Sequence, residues 1–436
     1  MIFGFQTYAR PAGFRTCLLL LGATLVTHGA EWPNYRGPSF DGLSPEKLVA
    51  KRWPAGGPRQ LWKVPLGGGF SSFTVSQGRT YTLVLRTMEG ADQETCLCLD
   101  TNTGKELWAN PLGTIKINEG GQSGAPDNKG GDGPRSTPTV NEGRVYVMSA
   151  KLVLTCFEAD SGKVVWKKDL IQENAGRNIS WQNAASPVVE GDLVFVAGGG
   201  PGQSLLGINK KNGQVVWKGQ DDKMTHSTPA VATIHGVRQV IFFTQTGLVS
   251  VAPRDGEVLW RYPFRYSTST AMTPIVAGDI VYCSAGYGVG SSACKVAKSD
   301  TGFSATQLWQ LPANVLNNHW STPVQQDGYL YGLFGFKEYG SCPLKCVELA
   351  TGKVMWSEAG FGPGGCILVD GHLLVLGDAG QLVLVGANPK AYTEMARAKV
   401  LAGKCWSTPI LSEGRIYVRS TQEGVCLDAS GKSAQK

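Results

Sequence analysis

Arg135, His226, His319, Trp320 and Trp406 each stand at or near the start of a short apolar run, just ahead of a Ser-Thr-Pro step: Ser136-Thr-Pro138, Ser227-Thr-Pro229, Ser321-Thr-Pro323 and Ser407-Thr-Pro409. Asn183 and Lys404 hold neighbouring positions, with Trp181 and Arg177 a little upstream. Cations and flat rings suit an anionic or planar ligand, because guanidinium and ammonium groups pair with carboxylates and indoles stack. Carboxylates that would seat a hard cation are scarce: only Asp127, Asp132, Asp221 and Asp222 fall in these segments, and none abuts a run. No Ser-His-Asp or Cys-His arrangement stands out, and with five His, one of them in the leader, acid-base chemistry has few carriers. The plainer reading, that these side chains cap the end of a channel and bind loop backbone, is the favoured one.

The runs behind these residues are strands. Period-two alternation such as Arg144-Val-Tyr-Val-Met148, broken by Gly turns, fits half-buried β-structure and no helix. A second phrase recurs in register: Cys98-Leu-Asp-Thr-Asn-Thr-Gly-Lys-Glu-Leu-Trp108, Phe157 to Trp166, Ile208 to Trp217, Ala252 to Trp260 and Val347 to Trp356, with weaker copies ending at Trp62 and Trp309. Such self-similarity marks a repeat architecture. Innermost strands are expected near Ser71, Arg135, Ala184, Ser227, Met272, Ser321, Gly365 and Ser407, and outer strands ending near Trp62, Trp108, Trp166, Trp217, Trp260, Trp309, Trp356 and Ala398. Each series has eight members, but the two are out of phase. An all-β, eight-bladed β-propeller of four-stranded antiparallel blades resolves this if Leu61 to Pro65 completes the last blade, closing the ring and removing two open edges. On that basis, deleting residues 61–66 should cost far more stability than deleting residues 32–50.

Each piece of punctuation has a physical reason. Pro in the innermost strand lacks a donor where one side borders the channel unpaired. Gly supplies positive φ in the turn before the outer strand. The Trp faces the neighbouring blade and fills a gap that widens with radius, so these rings are read as packing. Blade seven breaks the rule, with Gly364-Gly-Cys-Ile-Leu-Val369 in place of Ser-Thr-Pro and Glu394-Met-Ala-Arg-Ala398 in place of the Trp phrase. Long loops at 112–134, with Asn118, Glu119, Asp127, Asn128, Lys129 and Asp132, and at 170–183, with Arg177, Asn178 and Trp181, fall on the same face as the residues above.

Residues 1–30 read as a signal peptide, with Arg10 and Arg15 ahead of the apolar run Leu18 to Val26 and small residues through Ala30. Export to the periplasm or beyond is the expectation, followed by an N-terminal extension (31–60), the propeller (61–432) and a tail (433–436). Removing the leader takes away two positive charges and lowers the formal net charge from +7 to +5, with no basic cluster to suggest nucleic acid. No later segment is apolar for long enough to be a transmembrane helix. Ten cysteines would remain. Cys98, Cys156 and Cys346 sit six residues before their turn Gly, where Gly207 and Ser250 stand in other copies, so this is a small-residue packing position more than a disulfide framework.

The phrase Asp-x-x-Thr-Gly-Lys-x-x-Trp, repeated in degraded form over roughly residues 61–432, resembles the pyrroloquinoline-quinone (PQQ) repeat. The resemblance implies a PQQ-like propeller, a group that holds periplasmic quinoprotein dehydrogenases and non-catalytic relatives such as the propeller lipoprotein of the outer-membrane β-barrel assembly machinery. Trp32-Pro-Asn-Tyr-Arg-Gly-Pro-Ser-Phe-Asp-Gly42 is similar to the leader of exported repeat proteins of this kind. For the dehydrogenases the resemblance implies adjacent cysteines, Glu and Asn calcium ligands and a catalytic Asp. This chain has no Cys-Cys pair, and it is shorter. The leading expectation is therefore an exported binding scaffold that meets a protein or polymer partner through its loop-rich face, with no catalytic residues. A dehydrogenase of alcohols or sugars using PQQ with calcium is the alternative. Carbohydrate binding through Trp181, Trp320 and Trp406 is a third reading. The sequence assigns no oligomeric state.

Overall fold

The computed structural model describes residues 1–4, 30–54, 56–115, 133–335 and 342–431. Eight antiparallel sheets follow one another around a central channel. Their innermost strands are Thr74–Ser76, Thr139–Asn141, Val188–Glu190, Ala230–Ile234, Ile275–Ala277, Val324–Gln326, Gly365–Val369 and Ile410–Ser412. Their outermost strands are Glu106–Thr114, Val164–Asp169, Val215–Gly219, Val258–Pro263, Gly302–Leu311, Val354–Glu358, Glu394–Lys399 and Gln60–Pro65. The eight-bladed propeller is thus closed as expected: Gln60–Pro65 pairs antiparallel with Glu423–Asp428, setting Trp62 opposite Cys426. Where a Ser-Thr-Pro or Met-Thr-Pro step is present, the innermost strand begins at the residue after the Pro, slightly downstream of the sequence estimate.

The Trp phrase works as a socket between blades. In the indole row Trp108 lies opposite Cys98, Trp166 opposite Cys156 and Trp217 opposite Gly207. Each of these rings donates from Nε1 to a turn carbonyl of the next blade: Trp108 to Ala159 (3.0 Å), Trp166 to Lys210 (3.1 Å) and Trp217 to Pro253 (2.8 Å). Trp62, Trp309 and Trp356 do the same. The turn Gly of the next blade lies flat against the ring, so a Cβ on Gly256 would come within 2.4 Å of Trp217 and one on Gly162 within 2.7 Å of Trp108. Gly is needed there for φ (+74° at Gly256) and for room. Trp260 is the exception: its indole donates to Gln239 of its own blade, 2.7 Å away. The ten cysteines among the described residues are free and buried, and burial holds the Cys98 and Cys156 thiols up at about 12.

The Ser-Thr-Pro step has a second role. The backbone N–H of Ser72 donates to Thr137 Oγ1, Thr137 to Ser186 Oγ, Ser186 to Thr228 Oγ1, Thr273 to Thr322 Oγ1 and Thr408 to Ser72 Oγ, all at 2.9–3.1 Å. One blade's hydroxyl thereby satisfies the unpaired channel-side backbone of its neighbour. At the closing seam, the fully buried Arg419 of blade eight donates to Leu83 O, Thr82 Oγ1, Gly67 O and Gly69 O of the chain entering and forming blade one.

The N-terminal extension is a strap across the face opposite the loop-rich mouth. Trp32, fully buried, exchanges backbone hydrogen bonds with Val75, and Pro33 O accepts from Val140. The buried Arg36 reaches across to Thr322 O (3.2 Å) and Pro323 O (2.8 Å). Leu43–Ser44 then adds a fifth, parallel strand to the channel edge of blade seven, with Leu43 opposite Leu368. Leu368 N donates to Gly42 O, so the strap pairs this channel edge as it pairs Val75 N and Val140 N in blades one and two. Farther out, Glu46 accepts from Gly414 N, Lys47 and Lys51 pair with Asp370, and Gly57 packs on Ala398, two residues beyond Ala396, which holds the register of the Trp in other blades. The expectation that deleting residues 61–66 costs far more than deleting residues 32–50 weakens here, because the latter segment buries Trp32, Arg36 and Leu48.

Candidate functional site

The chain enters every innermost strand from one face, and the loops between second and third strands open on the same face. There the structure gathers a closed circuit of side chains from six blades. Trp181 stacks on Tyr287 (centroids 6.2 Å, 27°), Tyr287 meets His319 edge-on (5.2 Å), and His319 meets Trp320 (5.3 Å). Trp320 lies 4.7 Å from Trp406, which stacks on Phe70 at 5.0 Å. The Arg135 guanidinium lies 6.0 Å over Phe70 and donates to Trp181 O at 2.9 Å, which completes the circuit. Lys404 sits 4.2 Å over the Trp406 ring, and Trp406 Nε1 donates to Asp378 Oδ1 at 2.7 Å.

Of the nine residues singled out from sequence, Arg135, Trp181, His319, Trp320, Lys404 and Trp406 come together. His226 and Asn183 lie beneath and hold loops. His226 Nε2 donates to Ser180 O (2.8 Å), its Nδ1 faces Ser269 Oγ (2.9 Å), and burial pushes its pKa down to about 4, so the ring is neutral at pH 7. Asn183 bonds both groups of its side chain to Ala185 and caps its own turn. Arg177 is exposed. Asp222, weighed as a possible cation ligand, is spent on Arg261 and Thr246. Asp221, also weighed, accepts from Gly202 N at 2.6 Å, while the long-loop positions Asn118, Glu119, Asp127, Asn128, Lys129 and Asp132 lie outside the described residues, as do most of the leader (5–29) and the tail.

Sequence reasoning missed Phe70, Tyr287, Asp378 and Glu94. Tyr287 and Asp378 occupy second-to-third-strand loops, where Gly286-Tyr-Gly288 and Asp378-Ala-Gly380 were visible signals. Glu94 is the least expected. It is 2 % exposed; its Oε2 accepts from Ala150 N (2.8 Å) and its Oε1 has no hydrogen-bond partner. Burial raises its pKa to about 7 despite the nearby Arg135. Ala150 O in turn accepts from Asn178 Nδ2 and Asn183 N, so Glu94 underlies the 170–183 loop that carries Trp181.

A tricarboxylate quinone with calcium would need stacking faces, cations on its carboxylates and a set of oxygen ligands. Rings and cations are at the mouth, but its two described carboxylates are separated in role: Asp378 is bound to Trp406 and Glu94 lies below the surface holding Ala150. No group of three or more His, Cys, Asp or Glu among the described residues is placed to hold a metal ion. The described donor set does not fit that group.

Four-stranded blades, the docked Trp phrase and eightfold closure define a PQQ-like repeat propeller. The profile of the family described as outer membrane protein assembly factor BamB matches residues 92–332, and the chain belongs to that family. It is 26% identical over 295 residues to the outer membrane protein assembly factor BamB of Moranella endobia (strain PCIT), a match spanning 64% of this chain and 71% of that protein. Among solved structures, BamB from Moraxella catarrhalis superposes with a TM-score of 0.60 at 13% identity, over 86% of this chain and 99% of that one. The quinohemoprotein alcohol dehydrogenase ADHIIG from Pseudomonas putida HK5 superposes at 0.62 and 12% identity, over 93% and 81%. At these identities the superpositions establish the fold, common to both kinds of protein; the sequence matches place the chain nearer the assembly factors. No described helix is long and apolar enough to cross a membrane.

Proposed function

We propose that the chain is an exported, non-catalytic interaction scaffold that engages its partner through the loop-rich mouth. The observation that carries this reading is how the polar groups of the mouth are used. Arg135, Asn183 and His226 hydrogen-bond loop backbone, and Asp378 fixes an indole, so they shape a surface instead of converging on a reacting atom. Relatives named for outer membrane protein assembly point the same way. So does the absence of a Cys-Cys pair from the sequence.

The test is direct. Purified full-length chain is mixed with PQQ and calcium and then assayed for bound quinone and dye reduction with alcohols and sugars. In parallel, a photo-crosslinker is placed at Arg177 on the mouth face and at Lys105 on the opposite face. The scaffold reading expects no turnover and partner crosslinks from Arg177 only. Stoichiometric quinone with turnover would replace it by the dehydrogenase.

A further inference from the structure

We infer that the floor of the channel, where the strap crosses blades three and four, is a site for one small monovalent anion of halide size, with the Arg36 guanidinium as its cation. The site lies at the end opposite the mouth and does not depend on what the mouth engages.

A guanidinium carries five N–H donors, has no acceptor and keeps its charge inside a protein. Among the described residues two arginines are buried, Arg36 and Arg419, and their donors are used differently. All five of Arg419 are taken: Nε by Ser420 O, Nη1 by Thr82 Oγ1 and Leu83 O, and Nη2 by Gly67 O and Gly69 O. Arg36 makes three bonds, from Nη1 to Thr322 O and from Nη2 to Asp41 O and Pro323 O, and its buried Nε has no acceptor. Among the described residues no carboxylate bonds to it. Asp41, the acid beside it in the strap, is exposed and accepts from Leu43 N through Oδ1. Burial accordingly presses the Arg36 pKa below its ordinary value, against the weaker pull of Asp41. A cation left buried on dipoles alone, one donor short, is costly, and an anion beside it removes that cost.

The surroundings select the anion over a water. Arg36 lines a cavity of about 10 Å³ together with Asn34, Tyr35 and Phe40 of the strap and Ser186 and Thr228 of blades three and four, which is room for one small guest. Side-chain acceptors in this wall are already engaged: Asn34 Oδ1 by Arg36 N, Ser186 Oγ by Thr137 N and Thr228 Oγ1 by Ser186 N. What these side chains still offer are donors, namely the Ser186 and Thr228 hydroxyl protons, the Asn34 amide and Arg36 Nε. A water needs acceptors for its own two protons. A halide accepts from every side and supplies the charge that Arg36 lacks. The position also gives the anion a structural task. The strap hydrogen-bonds blade one at Trp32, blade two at Pro33, blade six at Arg36, blade seven at Gly42 and blade eight at Glu46. Toward blades three and four it turns this cavity, and an anion between Arg36 and the two hydroxyls ties it to them.

The experiment unfolds the full chain by heat in sodium chloride and in sodium gluconate at equal sodium concentrations, gluconate being too large for the cavity. The midpoint should rise saturably with chloride, by about 2–4 °C beyond gluconate. Arg36→Met should remove that difference. Diffraction from crystals of the full chain soaked in bromide, located by its anomalous signal, needs no variant and decides the matter if Arg36→Met does not fold: a bromide is expected beside Arg36 and the Ser186 and Thr228 hydroxyls. Coincident curves in the two salts, an undiminished chloride response in folded Arg36→Met, or bromide confined to the outer surface (an adventitious ion only) each overturn the inference.

Discussion

Replacing Gly256 by Ala isolates the feature that makes one blade dock on the next. Two costs are expected. The residue has φ +74°, and forcing a Cβ into that region costs about 1–2 kcal/mol. The added Cβ would also come within 2.4 Å of the Trp217 ring, and overpacking of that kind typically costs about 1–3 kcal/mol. Gly143 is the matched control: its φ is +72°, yet a Cβ there meets nothing within 4 Å. Gly143→Ala should therefore show only the conformational cost, and Gly256→Ala should be about 3 kcal/mol or more in total. Guanidinium denaturation monitored by circular dichroism gives both values. A Trp217→Ala background should bring the Gly256 cost down to that of Gly143, a coupling that a double-mutant cycle reads directly. Equal costs for the two glycines, or no coupling to Trp217, would refute the socket.

Two further outcomes follow from buried groups. Glu94 is held up at about 7 when folded but ionises at the ordinary carboxyl value when unfolded, so the folded state binds the extra proton between those values. Stability should fall as pH rises from about 4.5 through 7, by on the order of 3 kcal/mol, and Glu94→Gln should flatten this part of the profile in denaturation series at pH 5 and pH 8. Trp32→Ala should cost about 3–5 kcal/mol, as expected for emptying a fully buried indole, so the melting point of a chain lacking residues 32–50 should fall by an amount comparable with that of one lacking residues 61–66. A negligible Trp32→Ala effect would return the strap to a passive extension.

What was legible in the sequence was whatever has a local cause repeated along the chain. Gly104 to Trp108 reads correctly because turn, strand and ring sit within a few residues, and six other blades carry the same Trp as a cross-check. The closing strand was legible because the Leu61-Trp62 ending lacked a blade of its own. Blade seven was not: residues 42–44 pair along its channel edge, Ala396 stands at the register Trp holds in other blades, and Gly57 packs on the nearby Ala398, both partners more than three hundred residues away. At the mouth, Arg135, Trp181, Trp320 and Trp406 could be nominated by position alone. Whether they converge depends on loop paths, and Phe70 and Tyr287, which complete the circuit, carry no repeat signature. Glu94 sits mid-strand, where period-two alternation gives no hint of an orphaned carboxyl oxygen.

The closing seam also fixes the order of events in folding. Arg59 and Asp428 form an ion pair across 369 residues, so the strand Gln60–Pro65 is synthesised early and finds its partner last. Until Glu423–Asp428 exists, Gln60–Pro65 is a strand without a sheet, and the ring is an open arc with two raw edges. Contacts of such sequence separation are slow to form, since the intervening chain must be ordered before they contribute. The intermediate that persists longest should be the seven-bladed arc, whose rate of closure depends on the reach of its own amino-terminal end.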